Sequence, residues 1–361
     1  SGDSSSTFLP PMSPTALAVL AFLEKRASAD FDSPHVGYIG STPADQQIIR
    51  EGLVYALRTE TEASDPGSML RGPQADSNCY KTATTIIAAS VYLRSGGPDL
   101  RVTAPNANPP IVNGVLISQA IRNGVDALKR KQSQVGVSAG GWGYNLPDDS
   151  LLSPGPNRAD GSCTQMVAAA LSAAQFQFPD AGQPFASVPT FLATRANGNG
   201  TYAYIAEDLA HDNLSSTLTA AGIWTYRLAG VSQSDPRVQL SMTWLRNNYA
   251  YLNHSQPPQR IEPNYSWMLI YHHLYLWLAL KALDLSPDNG QAGIYNNDFM
   301  GVRNPAADGF PEEQRGYYYD FAWFLTDRQV NAPGTPDHGS WFYGGQHPKQ
   351  RTIDTIFAIL V

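Results

Sequence analysis

The sequence predicts an all-α protein made of repeated helical hairpins joined by long Gly/Pro/Asn-rich loops. A short motif precedes an alanine-rich apolar helix twice, as Ala-Asp-Ser-Asn-Cys at residues 75–79 and as Ala-Asp-Gly-Ser-Cys at residues 159–163. The second copy follows a Gly-Gly-Trp-Gly-Tyr loop at residues 140–144. A glycine-aromatic loop that leads into a helix apolar on all sides is typical of repeat architectures, in which no unit buries its core alone.

The first predicted helix spans residues 14–27. Leu17, Val19, Leu20 and Phe22 surround most of its circumference, which indicates a buried helix. Five pairs of helices follow, and in each pair an amphipathic helix precedes a loop and a more uniformly apolar helix follows it. The predicted pairs are 46–59 with the helix from Cys79, 114–132 with 162–176, 187–195 with 211–229, 236–249 with 264–283, and 317–329 with 352–361.

This alternation suits two concentric layers of helices, because the amphipathic helices can face water on one side while the apolar helices are covered on both. With the first helix counted as inner, six inner and five outer helices predict a closed ring of about six hairpins with little β-structure. We therefore expect a flexible tail over residues 1–12 and one domain over residues 13–361. We also expect Trp142 and Trp341 to be buried in equivalent loops between neighbouring hairpins.

Two segments resemble the repeats of the terpenoid cyclase and protein prenyltransferase superfamily, and of squalene-hopene cyclase-like proteins in particular. The first is residues 140–144 followed by Asp-Gly-Ser-Cys-Thr-Gln at 160–165; the second is Asp-His-Gly-Ser-Trp-Phe-Tyr at 337–343 followed by residues 354–360. The resemblance extends over residues 13–361 and is strongest at these two places. It implies a single (α/α)6 toroid, but it leaves the activity open because that superfamily holds several functions.

Composition excludes some functions. The chain has 361 residues, of which 42% are hydrophobic and only 15% charged, with a net charge of −7. No basic stripe is present, so nucleic-acid binding is not expected. The longest apolar stretch, residues 267–283, is shorter than the ~20 residues that span a bilayer, so we expect no membrane-spanning segment. The small polar residues 1–7 are typical of the tail left by a removed export signal, so a secreted, periplasmic or cell-surface location is expected.

Single acids mark the predicted starts of four inner helices. A squalene-hopene type cyclase uses an Asp-x-Asp-Asp motif there, and this chain has none. Asp76, Asp160, Asp212 and Asp354 are expected to cap their helices around one mouth of the ring, where a carboxylate stabilises the positive end of the helix dipole. The alternative makes Asp160 or Asp212 the proton donor of a cyclase.

The metal signals are incomplete. The zinc prenyltransferase resemblance implies an Asp-x-Cys pair and a later histidine, whereas Asp160 and Cys163 are spaced one residue too far apart and Asp354 stands near the expected histidine. Cys163, Cys79 and His211 are the metal-ligand candidates, but a cysteine is more commonly a small buried hydrophobe. The two cysteines occupy like positions in two repeats and could face each other. We predict no metal and no other cofactor.

Aromatic side chains are the ligand-binding candidates. They could line an apolar cavity whose ring faces stabilise a cation, although core packing calls for the same residues. Adjacent histidines at 272 and 273 point about 100° apart on a helix and cannot chelate one ion together. The candidates are Trp267, Tyr271, Tyr275, Trp277 and Trp224.

The interpretation we favour is an exported α/α-toroid scaffold that binds a protein partner or an apolar small molecule through the loops 133–160 and 288–316, with self-association left open. The alternative is an isoprenoid-processing enzyme, similar to a class II terpene cyclase or a prenyltransferase. A polysaccharide-cleaving (α/α)6 enzyme is a third possibility, and it needs convergent carboxylates or a Tyr/His pair in an open groove.

Overall fold

The computed structural model describes residues 14–28, 33–60, 70, 79–104, 111–143, 159–205, 215–252, 272–286, 302–341 and 348–361. Helices account for 61% of the described residues. The α-helices are α1 Pro14–Glu24, α2 Pro43–Tyr55, α3 Cys79–Arg94, α4 Ile117–Lys131, α5 Gly161–Ala174, α6 Val188–Ala193, α7 Ser216–Leu228, α8 Pro236–Asn247, α9 His272–Asp284, α10 Pro305–Asp308, α11 Tyr317–Arg328 and α12 Pro348–Leu360. A π-helical turn, Ala56–Glu60, extends α2, and 3-10 helices span Gly136–Ser138 and Pro179–Ala186.

The chain divides into two compact units, Ser1–Phe191 and Leu192–Val361, and the division falls inside α6. Residues 1–13, which include the predicted flexible tail, lie outside the described residues. The expectation of one domain over residues 13–361 therefore stays a prediction. No described helix is long and apolar enough to cross a membrane.

The first unit is built around α3, which packs against α1 on one side and α5 on the other. Both α3 and α5 are buried over nearly their whole circumference, as expected for inner helices. Helix α4 is amphipathic and covers α3 and α5 with one apolar face. Arg122 and Lys129 on the other side of α4 pair with Asp180 at 2.6 and 2.8 Å, which ties α4 to the 3-10 helix that follows α5. The predicted order of amphipathic and apolar helices is thus confirmed in this unit.

The second unit has the same local organisation. Helix α9 is buried on all sides and packs against α7 and α12, while α8 covers α7. Helices α7 and α8 both have a side-chain N-cap. Ser215 accepts a hydrogen bond from the Leu218 N–H at the start of α7, and Asp235 accepts one from the Arg237 N–H at the start of α8. Such caps satisfy backbone donors that have no partner within the helix.

A glycine-aromatic loop with one hydrogen-bond pattern recurs in both units. In the first unit the Ser133 N–H donates to the Gly141 carbonyl (2.9 Å) and the Gly140 N–H donates back to the Ser133 carbonyl (2.7 Å). The same reciprocal pair joins Val330 to Ser340 and Gly339, and joins Asn197 to Thr201 and Gly200. The turning glycines at 140, 200 and 339 all have φ between 80° and 93°, a conformation that other residues rarely adopt.

Two of these loops hold a tryptophan in the same way. Trp142 donates from Nε1 to the Leu128 carbonyl at 2.7 Å, and Trp341 donates to the Leu325 carbonyl at 2.6 Å. Trp142 is completely buried, whereas Trp341 is only partly buried. The predicted equivalence of the two loops is confirmed, and the burial of the second tryptophan is smaller than expected.

Two antiparallel strands form a hairpin in a segment that was predicted to be a loop followed by the start of a helix. Strand β1, Arg101–Ala104, pairs with β2, Ile111–Leu116, in the register Arg101↔Leu116 and Val102↔Val115. The predicted helix start at residue 114 is therefore wrong, because α4 begins at Ile117. Gly114 has φ of 67° inside β2, a conformation incompatible with a helix.

Candidate functional site

Asp160 is the N-cap of α5. Its Oδ1 accepts hydrogen bonds from the Cys163 N–H at 2.7 Å and from the Ser162 hydroxyl at 2.9 Å, and the residue is only 3% exposed. The carboxylate is thus directed at the first turn of its own helix. The prediction that Asp160 caps an inner helix is confirmed.

The two cysteines lie together beside this cap. Cys79 is the first residue of α3 and Cys163 is the third residue of α5, and both are fully buried free thiols. Burial raises the pKa of the Cys163 thiol well above its usual range, and the hydrogen bond with Cys79 and the negative charge of Asp160 raise it further. At neutral pH Cys163 is a protonated thiol, which is a poor metal ligand and a poor nucleophile.

Several of the predicted acid and metal residues fall outside the described residues: Asp76, Asp212 and His211. Among the residues that the structure describes, no group of three or more His, Cys, Asp and Glu side chains is arranged to hold a metal ion. The arrangement of all four acids around one mouth stays a prediction.

Asp354 is not at a helix start. Helix α12 begins at Pro348, so Asp354 is its seventh residue rather than part of its first turn. Proline is favoured at the first helical position, where its missing N–H has no intrahelical partner to lose. The expected capping role for Asp354 is therefore wrong.

In the second unit Asp354 instead faces a histidine. His273 Nδ1 on α9 lies 3.5 Å from Asp354 Oδ1, and both side chains are at most 2% exposed. The neighbouring His272 donates from Nε2 to the Tyr251 carbonyl at 3.0 Å. The two imidazole rings have different partners, as the ~100° rotation between adjacent helical residues requires.

Two of the described aromatic candidates pack together in the second unit. Trp224 on α7 and Trp277 on α9 meet edge to face with ring centroids 5.3 Å apart, and Trp277 is 5.4 Å from Phe357 on α12. Tyr275 is also buried, and burial raises the pKa of its hydroxyl. Trp267 and Tyr271 lie outside the described residues. Trp277 thus contacts Trp224 and Phe357 at distances typical of core aromatic pairs.

Sequence reasoning missed a third buried carboxylate, besides Asp160 and Asp354. Asp320, in the first turn of α11, is completely buried and accepts hydrogen bonds from the Tyr249 hydroxyl (2.8 Å), the Val302 N–H (2.9 Å) and the Arg303 N–H (3.1 Å). Burial raises its pKa, and these three donors oppose that rise. Asp320 lies inside an aromatic run, Tyr-Tyr-Tyr-Asp-Phe, and a charged residue within that run was the available signal.

A cation-aromatic stack adjoins this carboxylate. The Arg303 guanidinium lies 3.4 Å from the centroid of the Trp323 ring and pairs with Asp308 through two hydrogen bonds. Tyr319 donates to the same Asp308 carboxylate at 3.2 Å. The carboxylates of Asp308 and Asp320 therefore organise the described part of the 288–316 loop against α11.

The sequence matches no protein-family model. It also matches no curated protein sequence. Among solved structures, the chain is similar to Candida albicans protein geranylgeranyltransferase-I complexed with GGPP, with a TM-score of 0.51 and 10% sequence identity, over 99% of this chain and 85% of that chain. Such low identity shows the fold and carries no information about activity. The chain therefore has the α/α-toroid fold of the protein prenyltransferases, as the resemblance in its repeats implied.

Proposed function

We propose that the protein is a non-catalytic α/α-toroid scaffold that binds a protein partner or an apolar small molecule. The observation that carries this proposal is the position of the Asp160 carboxylate, which accepts hydrogen bonds from Cys163 and Ser162 of its own helix. The proton donor of a cyclase must instead present its acidic hydrogen to the substrate. A cap at this position is a structural role that requires no substrate.

The aromatic cluster supports the same proposal. Trp277 meets Trp224 edge to face and also packs against Phe357, so the three rings belong to one packed core. A cavity wall that stabilises a cation needs ring faces open to the ligand. Binding would then fall to the long loops, because recognition residues are commonly placed on loops held by a rigid scaffold.

The decisive experiment is a turnover assay on the full chain. The purified protein is incubated with squalene, and separately with GGPP and a cysteine-containing peptide in the presence of zinc. We expect no cyclised hydrocarbon and no prenylated peptide by mass spectrometry. A product that disappears in Asp160→Asn or Cys163→Ala, but persists in the matched variant Ser162→Ala, would make the protein an enzyme.

Elemental analysis tests the metal side of the proposal. We expect less than stoichiometric zinc after purification in zinc-containing buffer, since Cys163 is a buried protonated thiol beside a capping carboxylate. One zinc per chain, lost on Cys163→Ala, would favour a prenyltransferase-like site.

Binding of an apolar ligand is tested with GGPP as the probe. Tryptophan fluorescence is followed during titration of the wild type and of Trp224→Phe, which replaces one indole of the cluster with a smaller phenyl ring. Saturable quenching that weakens in the variant would favour an apolar ligand at the cluster. The absence of quenching would favour a protein partner at the loops.

The second candidate function is isoprenoid processing, and the His273–Asp354 pair is the observation that favours it. This pair is buried at 3.5 Å, and the Phe324 ring lies beside His273 with its centroid 6.1 Å from the imidazole centroid. A buried acid held by a histidine in aromatic surroundings is a reasonable proton donor. In this case the turnover assay should lose product in Asp354→Asn and keep it in Asp160→Asn.

A secreted, periplasmic or cell-surface location is part of the proposal. Fractionation of the native host, with immunodetection of the protein in each fraction, tests the location. Detection in the cytoplasm alone would exclude export.

A further inference from the structure

The first turns of α3 and α5 bring the only two cysteines of the chain together. Both thiols are completely buried, and they lie at the starts of two helices that pack against each other. Cys79 begins α3 and Cys163 is two residues past the start of α5, so each thiol lies within one helical turn of its helix start.

The helices that carry the thiols are extensively packed on each other. Helix α3 is buried from Cys79 to Tyr92 on nearly every side, and its neighbours include α1, α4 and α5. The backbone at Cys163 is fixed as well, because its N–H donates to the Asp160 cap at 2.7 Å. Two buried thiols at the starts of two packed helices can be joined with little movement of the backbone.

We propose that Cys79 and Cys163 form a disulfide that links the start of α3 to the start of α5 when the chain folds in an oxidising environment. The reaction is a thiol–disulfide exchange with a small disulfide such as oxidised glutathione. One cysteine thiolate attacks the small disulfide and releases one glutathione thiol. The second cysteine then attacks the mixed disulfide, so that the Cys79–Cys163 bond forms, two protons leave the cysteines and the oxidant is reduced to two thiols.

The bond forms during folding rather than afterwards. In the folded chain both sulfurs are inaccessible, and burial keeps Cys163 protonated, so an external disulfide cannot exchange with it at a useful rate. In the unfolded chain both thiols are accessible and the hydrophobic packing of α3 on α5 later brings them together. The same burial then protects the finished disulfide from reductants.

Refolding in a glutathione redox buffer tests the proposal on the full chain. The reduced, denatured protein is refolded with oxidised and reduced glutathione, quenched with acid and digested without reductant. We expect a cross-linked peptide pair containing Cys79 and Cys163 whose mass is two hydrogens below the sum of the free peptides. Recovery of both thiols free, or of glutathione on either cysteine as the end product, would overturn the proposal.

Thermal unfolding provides a second measurement. The oxidised wild type should melt about 5–10 °C above the reduced wild type, because the cross-link closes a long loop in the unfolded chain. The double variant Cys79→Ala/Cys163→Ala is the matched control, and its melting temperature should not respond to reductant. Equal melting temperatures for oxidised and reduced wild type would contradict a disulfide between two well-packed helices.

Discussion

Asp160 illustrates at the scale of a single residue how a candidate catalytic acid can have a structural role. Its Oδ1 accepts from the Cys163 N–H and the Ser162 hydroxyl, which accounts for a carboxylate that is only 3% exposed. An N-cap needs an acceptor, and asparagine supplies one as well as aspartate does. A proton donor needs an acid, and asparagine cannot replace it.

We predict that Asp160→Ala lowers the free energy of unfolding by about 1–2 kcal/mol, because the cap acceptor is lost, and that Asp160→Asn lowers it by less than about 0.5 kcal/mol. Chemical denaturation of both variants measures the difference. Ser162→Ala is the control, since it removes only one donor to the same oxygen. Equal losses in the two Asp160 variants would mean that the charge, rather than the acceptor, stabilises the helix start.

Trp142 is the residue whose removal we expect to cost most. It is completely buried, and its Nε1 donates to the Leu128 carbonyl at 2.7 Å. Trp142→Ala should lower the free energy of unfolding by about 3–5 kcal/mol through the cavity it leaves. Trp142→Phe should cost about 1–3 kcal/mol, because the Leu128 carbonyl then loses its partner.

The equivalent Trp341 provides the matched comparison. It makes the same hydrogen bond, to Leu325, but is only partly buried. Trp341→Ala should therefore cost less than Trp142→Ala in urea unfolding. An equal or larger loss would show that exposure is a poor guide to the contribution of this loop.

At the scale of elements, the same contact between an inner helix and the glycine-aromatic loop before it occurs in both units. Thr164 of α5 accepts from the Trp142 N–H at 3.0 Å and donates to the Trp142 carbonyl at 3.2 Å, and Thr355 of α12 does the same with Trp341 at 3.0 and 3.3 Å. Each inner helix thereby holds the loop that precedes it. The hydroxyl accepts from the tryptophan N–H and adds a donor to its carbonyl, which in Trp142 also accepts from the Asp160 N–H at 3.0 Å.

The Asp235 cap at the start of α8 should make the stability of the protein depend on pH. Asp235 accepts from the Arg237 N–H and from its guanidinium at 2.8–2.9 Å, and the guanidinium hydrogen bond is the main reason that the pKa of Asp235 falls to about 2. The folded-state pKa lies below the ordinary value of about 3.9, so this stabilisation is present above pH 4 and is lost as the pH falls toward 2.

Asp235→Ala should therefore lower the free energy of unfolding by about 1 kcal/mol at pH 6, and the loss should shrink by roughly half at pH 3. Urea unfolding of wild type and variant at the two pH values measures this. Asp235→Asn is the control that keeps the cap and removes the charge. A loss that stays constant between pH 6 and pH 3 would contradict the lowered pKa.

The repeat pattern allowed the helices to be predicted with most of their bounds, because buried and amphipathic helices differ in where their apolar residues fall. The β-hairpin was missed since Ile111–Leu116 is a short apolar run that leads directly into α4, and periodicity cannot separate a strand from a helix over such a length. The start of α12 was missed because the signal was Pro348 rather than an acid.

The candidate site was only partly predictable for a different reason. Asp160 was recognisable as a cap because its acceptor serves its own helix, and capping is a local interaction. The His273–Asp354 pair joins α9 to α12 and the Asp320 cluster joins three separate segments. Contacts between residues far apart in sequence depend on tertiary packing, which a single sequence does not display.

At the scale of the whole molecule, cooperativity between the two compact units is the open physical question. Each unit contains its own glycine-tryptophan loop, at Trp142 in Ser1–Phe191 and at Trp341 in Leu192–Val361. In a single repeat domain no unit buries its core alone, so damage in one unit lowers the stability of all. In two independent domains the damage stays local.

We predict that the full chain unfolds in one thermal transition and that Trp142→Ala and Trp341→Ala each lower the temperature of that same transition, as one domain over residues 13–361 requires. Calorimetry of the wild type and both variants measures this, and the ratio of calorimetric to van't Hoff enthalpy should be near one. The conservative variants Trp142→Phe and Trp341→Phe control for general misfolding. Two resolved transitions, of which Trp142→Ala shifts one and Trp341→Ala the other, would instead mean that the chain is two domains whose repeats are stabilised separately.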